Sequence, residues 1–228
     1  MKQDRELKMQ LLKEFEHLDN PIDFCRKAYE FLTEGEEKLA INAAAKTTDG
    51  VYLVYANGKT AIYDSENRPS PENVIGIGIC WGSRALIVDI NDIGNEADGY
   101  DITLTAGKDK TEYSGYIDNY LEAVADWNGK ANTEHLKQIG LNKKIQLKDG
   151  QYIPSLGEMY FIYLNRKAIN EALEYVGGMP IDGLWYWTST ELSASYAWCL
   201  TLCYGSASHY GTKAAYTFRV RPVSAFIS

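Results

Sequence analysis

Leu184-Trp-Tyr-Trp-Thr-Ser-Thr190 is followed, after a short serine-bearing turn, by Ala197-Trp-Cys-Leu-Thr-Leu-Cys-Tyr204. In the second stretch Trp198, Leu200 and Leu202 alternate with Cys199, Thr201 and Cys203. Successive side chains of a strand point to opposite faces, so the first set shares one face and the second set the other. The pattern predicts strands over 184–190 and 197–204, with a further strand over 216–223. The first face is apolar, and Trp198, Leu200 and Leu202 are expected to share one core with Trp187 and Val220. The second face carries a mixture that includes two cysteines, and it is expected to face solvent. Tyr204-Gly-Ser-Ala-Ser-His-Tyr-Gly-Thr212 then reads as an exposed loop.

Upstream of these strands the period changes. Ser155 with Glu158 forms a capping box, in which each side chain satisfies an orphan amide of the first helical turn. The helix it opens runs through Ile169, Leu173 and Val176 and stops at Gly177-Gly178. A short helix over about 133–139 ends at Gly140. Ile117, Tyr120, Leu121 and Val124 form an earlier stripe that ends near Trp127-Asn-Gly129. Residues 51–55 and 60–63 alternate around Asn57-Gly58, the dipeptide that best suits a type I′ hairpin turn. Strands over 74–80 and 85–89 follow. At the N-terminus, Leu7, Leu11, Phe15, Leu18, Ile22, Cys25, Tyr29 and Leu32 recur every three or four residues. They predict helices over 5–18 and 21–34 that meet at Asn20-Pro21. These helices either pack on the main domain or serve as a docking or oligomerising module. No internal repeat or Pro/Gly/Ser-rich linker divides 46–228. The organisation is thus α+β, with antiparallel sheets and two main helices over 46–228 and a helical segment over 1–40.

Composition narrows the function. The chain has 228 residues, is 45% hydrophobic and 24% charged, and carries a net charge of −8. These proportions suit a folded domain rather than a disordered one. The negative balance gives no basic face for nucleic acid. The longest apolar stretch, 74–81, is too short to cross a bilayer. The polar N-terminus lacks the apolar core of a cleavable signal. Four cysteines (Cys25, Cys80, Cys199, Cys203) contain no CxxC, and reduced thiols are expected. His17, His135 and His209 lack metal-ligand spacing. Ser206, Ser208 and His209 lie close together without a GxSxG turn. Cys199 and Cys203 in one strand would sit about 13 Å apart, too far for a disulfide. Asp89, Asp92 and Glu96 read as a solvated acidic loop. No glycine-rich phosphate loop occurs. No metal, cofactor or catalysis is expected.

Four phrases occur in order: Ile153-Pro-Ser-Leu-Gly-Glu-Met159, Tyr186-Trp-Thr-Ser-Thr-Glu191, Ala197-Trp198, and Arg219-Val-Arg-Pro-Val-Ser-Ala-Phe226. Together they resemble the C-type-lectin-like fold in its formylglycine-generating-enzyme branch, which is abundant in gut bacteria and their phages. The resemblance covers about 110–228 well and 46–109 loosely. The calcium-binding triplets of sugar lectins are absent, and Asp126-Trp-Asn-Gly129 is only a fragment of one. Cys199 and Cys203 fall in the region of the oxidase's reactive cysteines, but their surroundings do not match the enzyme's motif.

Within that fold the sequence resembles the variable proteins of diversity-generating retroelements, including phage tropism determinants, better than the sugar lectins or the oxidase. Those systems randomise adenines of AAY codons in a C-terminal repeat. The resulting NNY codons encode fifteen amino acids and never Glu, Lys, Gln, Met or Trp. These five make up 47 of the 228 residues, so a 27-residue window would hold five or six by chance. Residues 192–218 hold two, Trp198 and Lys213.

The resemblance implies a non-enzymatic receptor-binding protein with a diversified C-terminal face. The contacts would be Ser193, Ser195 and Tyr196 before the second strand and Cys199, Thr201 and Cys203 on its outward face. Tyr204, Ser206, Ser208, His209, Tyr210 and Thr212 would contribute from the loop, and Ala214, Ala215 and Tyr216 beyond it. Trp185, Trp187, Trp198, Arg219 and Arg221 would be scaffold. Tyrosine supplies rigid contact area at low entropic cost, as in antibody paratopes. The implied ligand is a protein or glycan, on a cell surface if the carrier is a phage, with no nucleic acid and no membrane insertion. The protein would then be virion-associated, and otherwise cytoplasmic. The alternatives are a formylglycine-generating-type oxidase and a fixed adhesion or structural domain of the same fold.

Overall fold

Asn57-Gly58 turns the chain between β1 (Gly50–Tyr55) and β2 (Thr60–Ile62), with Gly58 at φ 80°. The computed structural model describes residues 48–97, 99–107 and 113–226; the helices expected over 5–18 and 21–34 lie outside them. β3 (Val74–Trp81) pairs antiparallel with β1 and with β4 (Arg84–Asp89). Gly76 and Gly78 lie within β3. A Cβ there would collide with Ile87 and with the Phe226 ring respectively, so the strand needs glycine to let its neighbours close over it.

The helical middle matches the sequence in kind and shifts at its ends. α1 (Tyr120–Val124) is capped by the Asn119 side chain, which accepts from the amides of Leu121 and Glu122. α2 (Gly129–Ile139) starts earlier than expected and ends on Gly140, at φ 108°. After β5 (Gln151–Tyr152), α3 (Leu156–Tyr175) opens on the predicted capping box. The Ser155 amide donates to Glu158 Oε2 at 2.7 Å, and the Glu158 amide donates to Ser155 Oγ at 3.4 Å.

The C-terminal third holds β6 (Trp185–Glu191), β7 (Tyr196–Thr201), β8 (Ser206–Thr212) and β9 (Val223–Ala225). Two of its expected elements are corrected. Residues 206–212 form a strand rather than a loop, because they pair antiparallel with β7. The strand expected over 216–223 is reduced to β9, preceded by isolated bridges at Phe218 and Arg219. Pro222 has no amide to donate, and the ladder resumes only after it.

The strands form a six-stranded sheet in the order β2-β1-β3-β4-β9-β5 and a three-stranded sheet β6-β7-β8. α3 packs against strands of both sheets and lies between them. The main core joins Leu53, Ile77 and Val88 of the large sheet, Phe161 and Leu173 of α3, and Trp198 and Leu200 of β7. A second core lies on the other face of the small sheet. It joins Trp187, Ala197 and Cys199 to Ile102, Leu104, Leu136 and Val220. The single core expected for Trp187, Trp198, Leu200, Leu202 and Val220 is therefore two, with β6 and β7 as the partition. The molecule is α+β, with antiparallel sheets and few helices.

A buried ionic cluster fixes the approach to β9. Arg221 is fully buried and its Nε donates to Asp92 Oδ1 at 2.5 Å. Its Nη1 and Nη2 donate to the carbonyls of Asp89 and Met179, each at 2.9 Å. Arg219 Nη1 and the Tyr186 hydroxyl both donate to Asp92 Oδ2, at 3.2 and 3.1 Å.

Candidate binding face

β8 is an edge strand, and the predicted contact residues gather around it. Across the small sheet Tyr196 faces Thr212, Cys199 faces Ser208, and Thr201 faces Ser206. The register slips between Ala197 and Cys199, so His209 and Tyr210 together lie opposite Trp198. This bulge throws Tyr210 outward while His209 packs its ring 5.2 Å from Trp198. Tyr204, in the β7–β8 turn, and Tyr210 are 74% and 71% exposed. Tyr196 and Tyr216 are exposed as well, and Tyr216 stacks on Phe218 at 5.9 Å.

Two predicted contacts are overturned. Cys199 is 1% exposed and Thr201 7%. Their face of β7 does not look into water, because the second core packs against it. Cys199 sits among that core and its thiol donates to the Ser208 carbonyl at 3.3 Å. Thr201 turns its hydroxyl to the Gly183 carbonyl at 3.0 Å. Cys203, beyond the end of β7, is exposed as expected.

The remaining small residues divide by role. Ser193 closes the β6–β7 turn, accepting from the amides of Ser195 and Tyr196 at 3.3 and 3.2 Å. Ser208 Oγ accepts from the Tyr210 amide at 3.3 Å, which holds the bulge. Ser206 and Ala215 are exposed, whereas Ser195, Ser208, His209, Thr212 and Ala214 are half-buried.

The supports beneath this face are buried and closely packed. Trp198 is buried and its indole donates to the Ile117 carbonyl at 2.8 Å. Trp187 donates to the Ile102 carbonyl at 2.7 Å. Gly205 has φ 67°, and a Cβ there would come 2.5 Å from the Tyr163 ring. A Cβ at Gly211 would come 2.7 Å from Trp187.

Two features escaped the sequence. Lys213 is buried and pairs with Glu191, whose other carboxylate oxygen meets His135 Nδ1 at 2.5 Å. Tyr113 stacks on His135 at 3.6 Å. This cluster ties the segment after β8 to β6 and α2. Trp185, expected as scaffold, is instead exposed at the start of β6 and packs 6.0 Å from Phe218, beside Tyr216. It extends the aromatic surface. The pattern Trp185-x-Trp187 gave both rings one face; only the tertiary structure leaves one of them uncovered.

Two of the carboxylates expected in a solvated acidic loop, Asp89 and Asp92, are instead buried and engaged by the chain itself. Asp92 is held by Arg219 and Arg221, and Asp89 by Lys148 and Gln151. They line a polar cavity of about 430 Å³ with Asn91, Lys144 and Lys148, and none of the predicted contact residues lines it. Burial pushes the Cys199 thiol up to about 12. A thiol reacts as its thiolate, so Cys199 should be inert near neutrality. Iodoacetamide applied to the folded protein at about pH 8 should label Cys203 and spare Cys199, as read by peptide mass spectrometry. Equal labelling of the two would contradict the packing of β7.

No protein-family model matches the chain, and no curated protein matches it. Among solved structures it resembles a fimbrial protein from Bacteroides ovatus, with a TM-score of 0.55 and 18% identity. The match covers 78% of this chain and 49% of that one, so the chain spans about half the length of that protein. At this identity the likeness is one of fold.

Proposed function

We propose that this chain is a ligand-binding domain of C-type-lectin-like fold whose C-terminal face is diversified by a retroelement. One observation carries the proposal. Of the 27 residues in the window 192–218, only Trp198 and Lys213 lie outside the NNY set, and they are 2% and 1% exposed. Every exposed position in that window carries a residue that a randomised codon can supply. Random codons at the surface over a fixed interior would leave this distribution. The exposed Tyr196, Tyr204, Tyr210 and Tyr216 would be the rigid anchors of the contact. The ligand would be a protein or glycan, on a cell surface if the carrier is a phage. The role is binding without catalysis. The oxidase alternative needs a reactive cysteine pair, and the burial of Cys199 weighs against it.

A second proposal, a fixed adhesion or structural domain, draws on the likeness to a fimbrial protein. Tolerance to randomisation tests the first proposal without knowledge of the ligand. In one library NNY codons replace the exposed Tyr196, Tyr204, Ser206, Tyr210, Ala215 and Tyr216. In another they replace the buried Trp198, Gly205, Gly211 and Lys213. Most members of the first should resist protease and melt within a few degrees of the parent, since surface changes usually shift stability by about ±0.5 kcal/mol. The second should lose the fold. Equal survival of both libraries, or failure of the first, would contradict a diversifiable face.

A further inference from the structure

We propose that the open edge of β8 receives an extended segment of a partner polypeptide, which joins the small sheet as a fourth strand. The proposal rests on the binding role above and specifies the chemistry of its ligand.

The two edges of the small sheet differ. The outer edge of β6 is closed by the chain itself. The Trp187 amide donates to the Arg219 carbonyl at 2.9 Å, and the Arg219 amide donates to the Trp185 carbonyl at 3.0 Å. β8 has no such cover among the described residues. Among the described residues, the backbone of 206–211 forms its ladder with β7 and bonds to the backbone of no other segment. An antiparallel edge strand turns alternate amide and carbonyl groups away from its partner. A row of such groups is a template for another strand.

Sheet edges in soluble proteins are normally blunted by charge, proline or shortness. The outer strands of the large sheet obey this, since β2 has three residues and β5 two. β8 has seven, and Ser206-Ala-Ser-His-Tyr-Gly-Thr212 contains neither proline nor a carboxylate, lysine or arginine. Its one guard is the bulge at His209 and Tyr210, which limits regular pairing to the 206–208 end. Tyr204 and Tyr210 are exposed at either end of that stretch, placed to grip the side chains of an added strand.

Strand addition also fits a diversified surface. Main-chain hydrogen bonds supply affinity in this mode, and alternate side chains supply specificity. Replacing the exposed side chains of β8, Ser206 and Tyr210, leaves its amides and carbonyls in place. Each variant therefore keeps the same backbone template, and selection need only tune the tyrosines and small residues around it. A glycan offers no matching ladder of alternating donors and acceptors.

A displayed library of random nine-residue peptides without proline is selected on the full chain. Enriched peptides are then resynthesised with one backbone N-methyl group at each position in turn. N-methylation at alternate positions should weaken binding at least about tenfold, because each lost amide leaves an edge acceptor unpaired. Methylation at the intervening positions should be tolerated. Hydrogen exchange of the complex should show new amide protection within 206–208. The proposal falls if no peptide is enriched, if N-methylation is tolerated throughout, or if protection appears elsewhere. Natural variants clustered in this window together with any of those results would leave diversification standing and remove strand addition alone.

Discussion

Arg221→Met should lower the stability of the fold by about 3–5 kcal/mol, the usual cost of breaking a buried ion pair from one side. The guanidinium is fully buried and satisfies three acceptors: Asp92 Oδ1 and the carbonyls of Asp89 and Met179. Methionine fills much of the space but donates nothing. Asp92 would keep Arg219 and Tyr186 on its other oxygen, while two backbone carbonyls would lose their donor. The cost reaches beyond the pair. Asp92 lies just past β4, Met179 between α3 and β6, and Arg221 two residues before β9, so one side chain ties the α3–β6 connection to the large sheet. Urea melts should show a lower midpoint with an unchanged slope. A loss under about 1 kcal/mol, the scale of an exposed pair, would mean that water reaches the cluster.

Trp198→Ala should cost a similar amount, about 3–5 kcal/mol, by a different route. Its indole fills the main core between α3 and the small sheet and lies 6.0 Å from the Tyr120 ring. Truncation opens a cavity and deprives the Ile117 carbonyl of its indole donor. It also removes the surface against which His209 packs, so the β8 bulge should loosen with the core. The variant should melt early, and the amides of 206–212 should exchange faster than those of β3. A denaturation midpoint like that of the parent would remove Trp198 from the scaffold.

Much of this architecture was legible because its signals are local. The Asn57-Gly58 turn, the Ser155/Glu158 box and the Gly140 stop each follow from the conformational demands of a few adjacent residues. β8 was not legible, because serine, alanine and glycine carry little strand preference and its pairing is set by β7. The burial of Cys199 and Thr201 was hidden for another reason. Alternation separates the two faces of a strand but does not say what lies beyond each. A small polar-looking set suits solvent, and it equally suits close packing between two layers. Cys199 held the available signal, since free cysteine is among the residue types most often buried. Arg219-Val-Arg221 looked like alternating strand, and its two arginines do share a side. They turn toward Asp92, a partner 129 residues before Arg221. Lys213 stood out in the sequence only as a residue that a randomised codon cannot encode. The structure adds its buried bond to Glu191.

Long-read sequencing of this locus across a natural population tests diversification most directly. Replacements should cluster between Ser193 and Tyr216, fall on the exposed tyrosines and small residues, and come from the NNY set. Cys199 and Thr201 should vary only among small residues, while Trp198, Gly205, Lys213 and the run 219–223 stay fixed. The same reads should carry a near-copy of the last third of the gene, differing at adenines, beside a reverse transcriptase. Variation spread evenly over the chain, or lysine and glutamate appearing freely at the exposed positions, would contradict the account and leave a fixed domain of the same fold.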